Sequence, residues 1–143
     1  MKKPQMKRAR MYADGGSRGN PGPSASGAVI FDLEKGEEGD VLAEVTKFLG
    51  NTTNNQAEYM AIVIGLRAAL KLGIEGIEVR LDSELAVKQL NGIYRVRNKE
   101  IAKRFAEVDE LRQQFREIRF LHIRREFNTV ADSLVNQELD KQS

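Results

Sequence analysis

The sequence predicts an α/β fold: a mixed five-stranded sheet, three strands antiparallel and then parallel additions, with helices on both faces. Two observations carry this. Three strand-like runs follow one another early, separated only by turn residues, as in a meander. Later strand-like runs alternate with helical ones, which joins new strands to a sheet in parallel. At 143 residues, the chain is expected to build one core of its own.

Residues 9–14 read as the first strand, ending at Asp14, and a Gly- and Pro-rich loop follows from Gly15 to Pro23. Ser26–Asp32 reads as the second strand, Glu34–Asp40 as a polar hairpin turn and Val41–Leu49 as the third strand. Asn55–Leu72 is long, rich in Ala, Leu and Ile, and apolar on most sides. That describes a buried helix, stopped near Gly73 and Gly76. Ile77, Val79 and Leu81 alternate with Glu78, Arg80 and Asp82 in a fourth strand. Ser83–Leu90 reads as a short helix. Lys99–Arg116 reads as an amphipathic helix with Ile101, Phe105, Val108, Leu111 and Phe115 at helical spacing. Ile118–Arg124 is the fifth strand. Thr129–Leu139 closes as a helix with Val130, Leu134 and Val135 inward.

Composition narrows the classes of function. There is no Cys, which excludes disulfides and thiolate metal sites and fits a reducing cytoplasm. No apolar run is long enough to cross a membrane, and none follows the basic N-terminus as a secretory signal would require. Net charge is +2, yet Lys2, Lys3, Lys7, Arg8 and Arg10 lie in the first ten residues; without them 18 basic residues face 21 acidic. We therefore divide the chain into a basic tail, 1–8, able to grip phosphates, and a domain, 9–143.

Four acids stand at predicted element boundaries: Asp14 at the end of the first strand, Glu58 in the first turn of the central helix, Asp82 at the end of the fourth strand and Asp132 opening the last helix. Each has a plainer structural use. Asp14 can start a turn with Gly15, and Glu58 can complete a capping box with Asn55. Asp82 can cap the next helix, and Asp132 can complement its helix dipole. Together they are harder to explain. Carboxylates near 4 Å repel by roughly 4 kcal/mol per pair at an effective dielectric of 20. A cleft holding four needs a cation, and all-oxygen ligands select a hard divalent ion such as Mg²⁺.

The segments around these acids are Asp14-Gly15-Gly16-Ser17-Arg18-Gly19-Asn20-Pro21-Gly22, Thr53-Asn54-Asn55-Gln56-Ala57-Glu58-Tyr59, Leu81-Asp82-Ser83 and Asn128-Thr129-Val130-Ala131-Asp132-Ser133-Leu134-Val135-Asn136. In that order they resemble type 1 ribonuclease H over nearly the whole domain. The resemblance implies the ribonuclease H-like fold and a monomeric endonuclease. It would cut the RNA strand of an RNA/DNA hybrid, leaving 5′-phosphate and 3′-hydroxyl ends. It also implies two Mg²⁺ ions, with Mn²⁺ as a substitute, held by Asp14, Glu58, Asp82 and Asp132. Gly15, Ser17, Asn20, Thr53, Asn54, Asn55, Gln56 and Ser83 would contact the hybrid, with the amides in its minor groove. Thr53-x-x-Gln56 is also a capping box in its own right.

The chain departs from the family pattern in two places. Asn91–Lys99 is short and lacks Trp, as in the branch without a basic protrusion; Arg95, Arg97 and Lys99 could still touch phosphates. His122 stands ten residues before Asp132, where relatives carry a mobile His, but it sits in a strand pattern with no Gly following. We read it as an ordinary strand residue, with Arg124, Arg125 or Glu126 in the nearby space. The acidic turn around Glu34, Glu37 and Glu38 is expected to point away from nucleic acid. Integrases, junction resolvases and Argonaute slicer domains share the fold. A non-catalytic hybrid-binding module of this fold is the alternative; it predicts loss of at least one acid, and all four are present.

Overall fold

The computed structural model describes residues 6–143. The strands are β1 (Arg8–Ser17), β2 (Gly22–Glu34), β3 (Glu37–Thr52), β4 (Gly76–Leu81) and β5 (Glu117–His122); the helices are α1 (Asn54–Lys71), α2 (Glu84–Leu90), α3 (Lys99–Arg112) and α4 (Thr129–Gln142). The sheet order is β3-β2-β1-β4-β5. β1–β2 and β2–β3 pair antiparallel, while β4 joins β1 and β5 joins β4 in parallel. The predicted mixed sheet is the one observed.

Helices cover both faces, and glycines show how closely. A Cβ on Gly65 of α1 would lie 2.3 Å from Met11 Sδ and 3.0 Å from Ala28 Cβ. On the other face, a Cβ on Gly27 would lie 3.0 Å from Leu134 Cβ of α4. α3 packs on α1 away from the sheet, so α1 is enclosed and its all-round apolarity is explained. Met11, Ile30, Ile62, Leu66 and Val79 form the centre of that core, each fully buried.

The boundaries differ from those expected. β1 does not stop at Asp14 but continues to Ser17, paired throughout with β2, so the Gly-rich loop shrinks to a tight hairpin. Likewise the Glu34–Asp40 turn reduces to Lys35 and Gly36, both with positive φ (52° and 80°), as a two-residue hairpin turn demands. Exposed polar residues on the hairpin arms hide this extension from a hydrophobicity reading. α3 ends at Arg112, and a single 3₁₀ turn over Arg125–Phe127, not anticipated, precedes α4. Val130 is exposed; the inward residues of α4 are Ala131, Val135 and Leu139.

The basic tail expected over 1–8 falls outside the described residues for positions 1–5. Of the rest, Arg8 begins β1, and Lys7 is tied down: its carbonyl accepts from Glu75 and Gly76 N–H, and its Nζ donates to Leu72 O at 2.7 Å.

Candidate active site

The four acids arrive from four elements. Asp14 sits within β1, opposite Gly27 of β2. Asp82 directly follows β4, the parallel neighbour of β1. Asp132 lies in the first turn of α4. Glu58 stands in the second turn of α1, not the first, because that helix starts at Asn54. All four line one cleft of about 290 Å³, together with Arg125 and Asn136.

Several plainer uses of these acids fall away. The cap of α1 is Thr53, whose hydroxyl accepts from Gln56 N–H at 3.3 Å, so Glu58 caps nothing. The cap of α2 is Ser83, not Asp82. Asp14 is mid-strand rather than at a turn. Only Asp132 keeps a helix-dipole role beside its place in the cleft.

Electrostatics shows the crowding. Burial, then the nearby charges of Asp82 and Asp132 and a hydrogen bond with Asp132, push Asp14 up to about 8. Burial raises Glu58 to about 7, with Asp82 adding to the rise. The Ser83 hydroxyl and the Arg125 guanidinium oppose it. Two of the acids are also held from behind. Asn128, fully buried, donates to Asp82 Oδ2 and to Ala13 O, both at 3.0 Å. Asn136 Nδ2 donates to Asp132 Oδ2 at 3.3 Å.

Does this donor set fit a hard cation? Among the described residues, no three His, Cys, Asp or Glu side chains are arranged as a cage that could hold a metal ion. The cleft nevertheless gathers four carboxylates, and Glu58 Oε2 is buried with no hydrogen-bond partner. Carboxylate rotamers adjust while backbone placement does not, so the orphaned oxygen and the mutual repulsion mark a cation site whose side chains have yet to close. The chemistry fits; a finished coordination shell is not formed.

The expected substrate residues divide in two. Asn20, Thr53, Asn54, Asn55 and Gln56 line a second, larger groove of about 850 Å³, which meets the acid cleft at Asn54. Gly15 and Ser17 line the acid cleft itself. Ser83 is not in the groove; it caps α2 and braces Glu58. The glycines answer mainly to packing. A Cβ on Gly15 would sit 2.1 Å from the Ala57 carbonyl carbon, so it is α1, not a ligand, that requires glycine there. Gly19 has φ +97° in the hairpin.

Sequence reasoning gave no role to Asn128, Asn136, Asn98 or Arg104. The first two lie inside the fourth motif quoted above, which was the available signal. Asn98 and Arg104 line the amide groove from the start of α3, and nothing local in the sequence marks them. His122 ends β5 and is exposed, outside the acid cleft.

A family model described as reverse transcriptase-like matches residues 12–138. Ribonuclease HI of Halobacterium salinarum is 39% identical over 133 residues, covering 93% of this chain and 65% of that protein. Its crystal structure superposes with a TM-score of 0.88 over 94% of this chain and 98% of that one. Ribonuclease H of Acetivibrio thermocellus is 31% identical, covering 96% of this chain and 99% of it. LC11-RNase H1, solved in complex with an RNA/DNA hybrid, has a TM-score of 0.86 at 40% identity, covering 94% of this chain and 98% of that one. The chain spans only about a third (34%) of the mycobacterial relatives that match it, such as the bifunctional protein Rv2228c of Mycobacterium tuberculosis, at 41% identity over 128 residues. With one family model over most of its length and a near full-length ribonuclease H relative, this chain belongs to the type 1 ribonuclease H family.

Proposed function

We propose that this protein hydrolyses the RNA strand of RNA/DNA hybrids, leaving 5′-phosphate and 3′-hydroxyl ends. The observation that carries the reading is the joining, at Asn54, of a four-carboxylate cleft to a groove lined by amides. The hybrid bound to LC11-RNase H1, a relative of nearly the same fold, supports the substrate.

Asp14, Glu58, Asp82 and Asp132 would hold two divalent cations, Mg²⁺ or in its place Mn²⁺, which when bound activate a water and stabilise the leaving oxygen. The chain's own work is to prepare that site. β1 and β4 deliver Asp14 and Asp82 side by side from parallel neighbours. Asn128, Asn136 and Ser83 orient three of the four acids. Arg125 favours the ionised form of Glu58, the form a cation needs. The amide groove would position the hybrid through base edges and hydroxyls. Every one of these residues comes from one chain, so a monomer suffices. Among the described residues no helix is long and apolar enough to cross a membrane. We place the activity in the cytoplasm, in keeping with the absence of Cys.

The test is cleavage of a labelled hybrid beside duplex RNA, duplex DNA and single strands, with Mg²⁺ and with EDTA, and analysis of the product ends. Only the hybrid is expected to be cut, and only with the ion. Absence of hybrid cleavage, or cleavage that survives EDTA, overturns the reading. The basic tail is proposed to add phosphate contacts. Deleting residues 1–5 should then flatten the salt dependence of hybrid binding by up to about 0.9 per lost contact; an unchanged slope refutes that role.

A further inference from the structure

Polar side chains join α1 to α2 at two points. Glu58 and Tyr59 are consecutive in α1, so their side chains leave that helix about 100° apart. Glu58 reaches the acid cleft, where the Ser83 hydroxyl hydrogen-bonds it. Tyr59 turns into the core, and its hydroxyl donates to Gln89 Oε1 at 2.6 Å. Ser83 caps the start of α2 and directly follows Asp82, while Gln89 is the penultimate residue of that helix. The two attachments are thus about 9 Å apart along α2. A bond near each end fixes a short helix in both place and direction. A bond at one end alone leaves a pivot.

The second attachment is costly to build unless it is used. Tyr59 is 1% exposed and Gln89 9%. Packing alone would be served by Phe, since a buried hydroxyl is tolerated only with a partner. Burial first, and then the charge of Glu58, raise the Tyr59 hydroxyl above its usual range, so it stays a neutral donor. α2 is otherwise thinly held: it has seven residues, and its buried apolar side chains are Ala86, Val87 and Leu90. Polar bonds from two other elements grip its far end. Arg112 Nη1 of α3 donates to Leu90 O at 2.9 Å, and Asn91 Nδ2 donates to Phe120 O of β5 at 3.1 Å. Neither bond involves α1. Among the described residues, the Tyr59–Gln89 bond is the side-chain hydrogen bond that ties this end of α2 to the helix of Glu58.

Resting on the ribonuclease H reading above, we propose that Tyr59 is a positioning residue for the metal-binding acids: through Gln89 it sets the direction of α2, and so the placement of Asp82 and Ser83 against Glu58. Neither Tyr59 nor Gln89 lines the acid cleft or the amide groove, so the effect is transmitted through α2. The Ser83–Glu58 bond shares its carboxylate with an arriving cation. The Tyr59–Gln89 bond shares nothing with it, and holds α2 through binding and turnover.

The experiment measures Mn²⁺ binding by electron paramagnetic resonance, without substrate, beside melting temperature and Mg²⁺-dependent hybrid cleavage. Wild type is compared with Tyr59→Phe, with the double variant Tyr59→Phe/Gln89→Met, and with Val108→Ala. Tyr59→Phe removes only the hydroxyl and strands Gln89. Mn²⁺ affinity should fall about tenfold and kcat should fall with it, while KM for the hybrid stays as in wild type. The double variant removes both buried polar groups and keeps the volume, so its melting temperature should return toward wild type while Mn²⁺ affinity stays low. Val108→Ala truncates a fully buried side chain of α3; it should melt lower with Mn²⁺ affinity unchanged. Wild-type Mn²⁺ affinity in Tyr59→Phe overturns the proposal. So does affinity that recovers together with stability in the double variant, which makes the bond a matter of stability alone. So does an equal loss of affinity in Val108→Ala, which makes the effect general loosening. If Tyr59→Phe does not fold, the double variant decides in its place. Wild-type cleavage separates the readings: a wild type that binds Mn²⁺ and cuts the hybrid, with every variant matching its affinity, refutes the positioning role alone. A wild type that neither binds Mn²⁺ nor cuts refutes both.

Discussion

Asn128 donates a 3.0 Å hydrogen bond to the carboxylate of Asp82 from a position with no solvent exposure. Its second bond, to Ala13 O, anchors it to β1 one residue before Asp14. One amide thus ties two acid-bearing elements together. Asn128→Ala should lower stability by about 1–3 kcal/mol, since Ala13 O and Asp82 lose a buried donor. Cleavage should fall about 10-fold or more through loss of orientation. Asn128→Asp, which sets a third carboxyl beside Asp82, should be worse at neutral pH than at pH 5. Chemical denaturation with parallel cleavage rates checks both; a stable, fully active Asn128→Ala contradicts the role.

The raised Asp14 and Glu58 fix a pH dependence. A carboxyl whose value is raised on folding binds its proton more tightly in the folded chain. Its contribution to stability is complete below its unfolded value, near 3.8 for Asp14, and is lost as pH rises through about 8. Glu58 loses its share between 4.5 and about 7. In EDTA the protein should therefore melt lower at pH 9 than at pH 5. Asp14→Asn should be inactive, yet melt higher than wild type at pH 9, and gain less from millimolar Mg²⁺. A lower melting temperature for Asp14→Asn at pH 9 would sink the crowded-carboxylate account.

Gly15→Ala would drive a methyl group into the Ala57 backbone. It should cost about 3 kcal/mol and most of the activity, because the displaced segments carry Asp14 and Glu58. Gly36→Ala is the matched control: φ is +80° but nothing lies within 4 Å of the added Cβ. It should cost about 1 kcal/mol and leave cleavage intact. Thermal melts of the two variants separate packing from conformational strain.

Arg125 favours ionised Glu58. Arg125→Ala should push Glu58 higher still, so the acid limb of the cleavage rate should move to higher pH. Arg125→Lys should move it less. A pH–rate profile that does not shift would place Arg125 outside the chemistry.

Much of this was legible in the residues. The sheet class followed from alternation and turn spacing, and the four acids from their positions beside apolar runs. Failures share one cause: the sequence shows what a residue is, not which side of it is occupied. Gly15 was expected to contact the hybrid, and it does line the acid cleft, but what demands glycine there is Ala57 of α1, a neighbour the sequence does not show. Asp14 was placed at a strand end because Gly and Pro follow, though β1 pairs on to Ser17. Glu58 slid by one turn because Thr53, not Asn55, caps the helix. Arg104 was invisible, since Gln56, to which it donates, lies on another helix. His122 was read as a strand residue, and it is the last residue of β5.

The acids come from β1, α1, the end of β4 and α4, with Asp132 on the last element of the chain. No local fragment holds more than one of them. α4 also supplies the side chains that cover Gly16 and Gly27 on the sheet beside Asp14. The proposed nuclease activity would thus be an all-or-none report on the finished fold. A chain still being synthesised, or clipped before α4, lacks both an acid and the side chains that cover the sheet beside Asp14, and on the proposed reading would be silent toward any hybrid it meets.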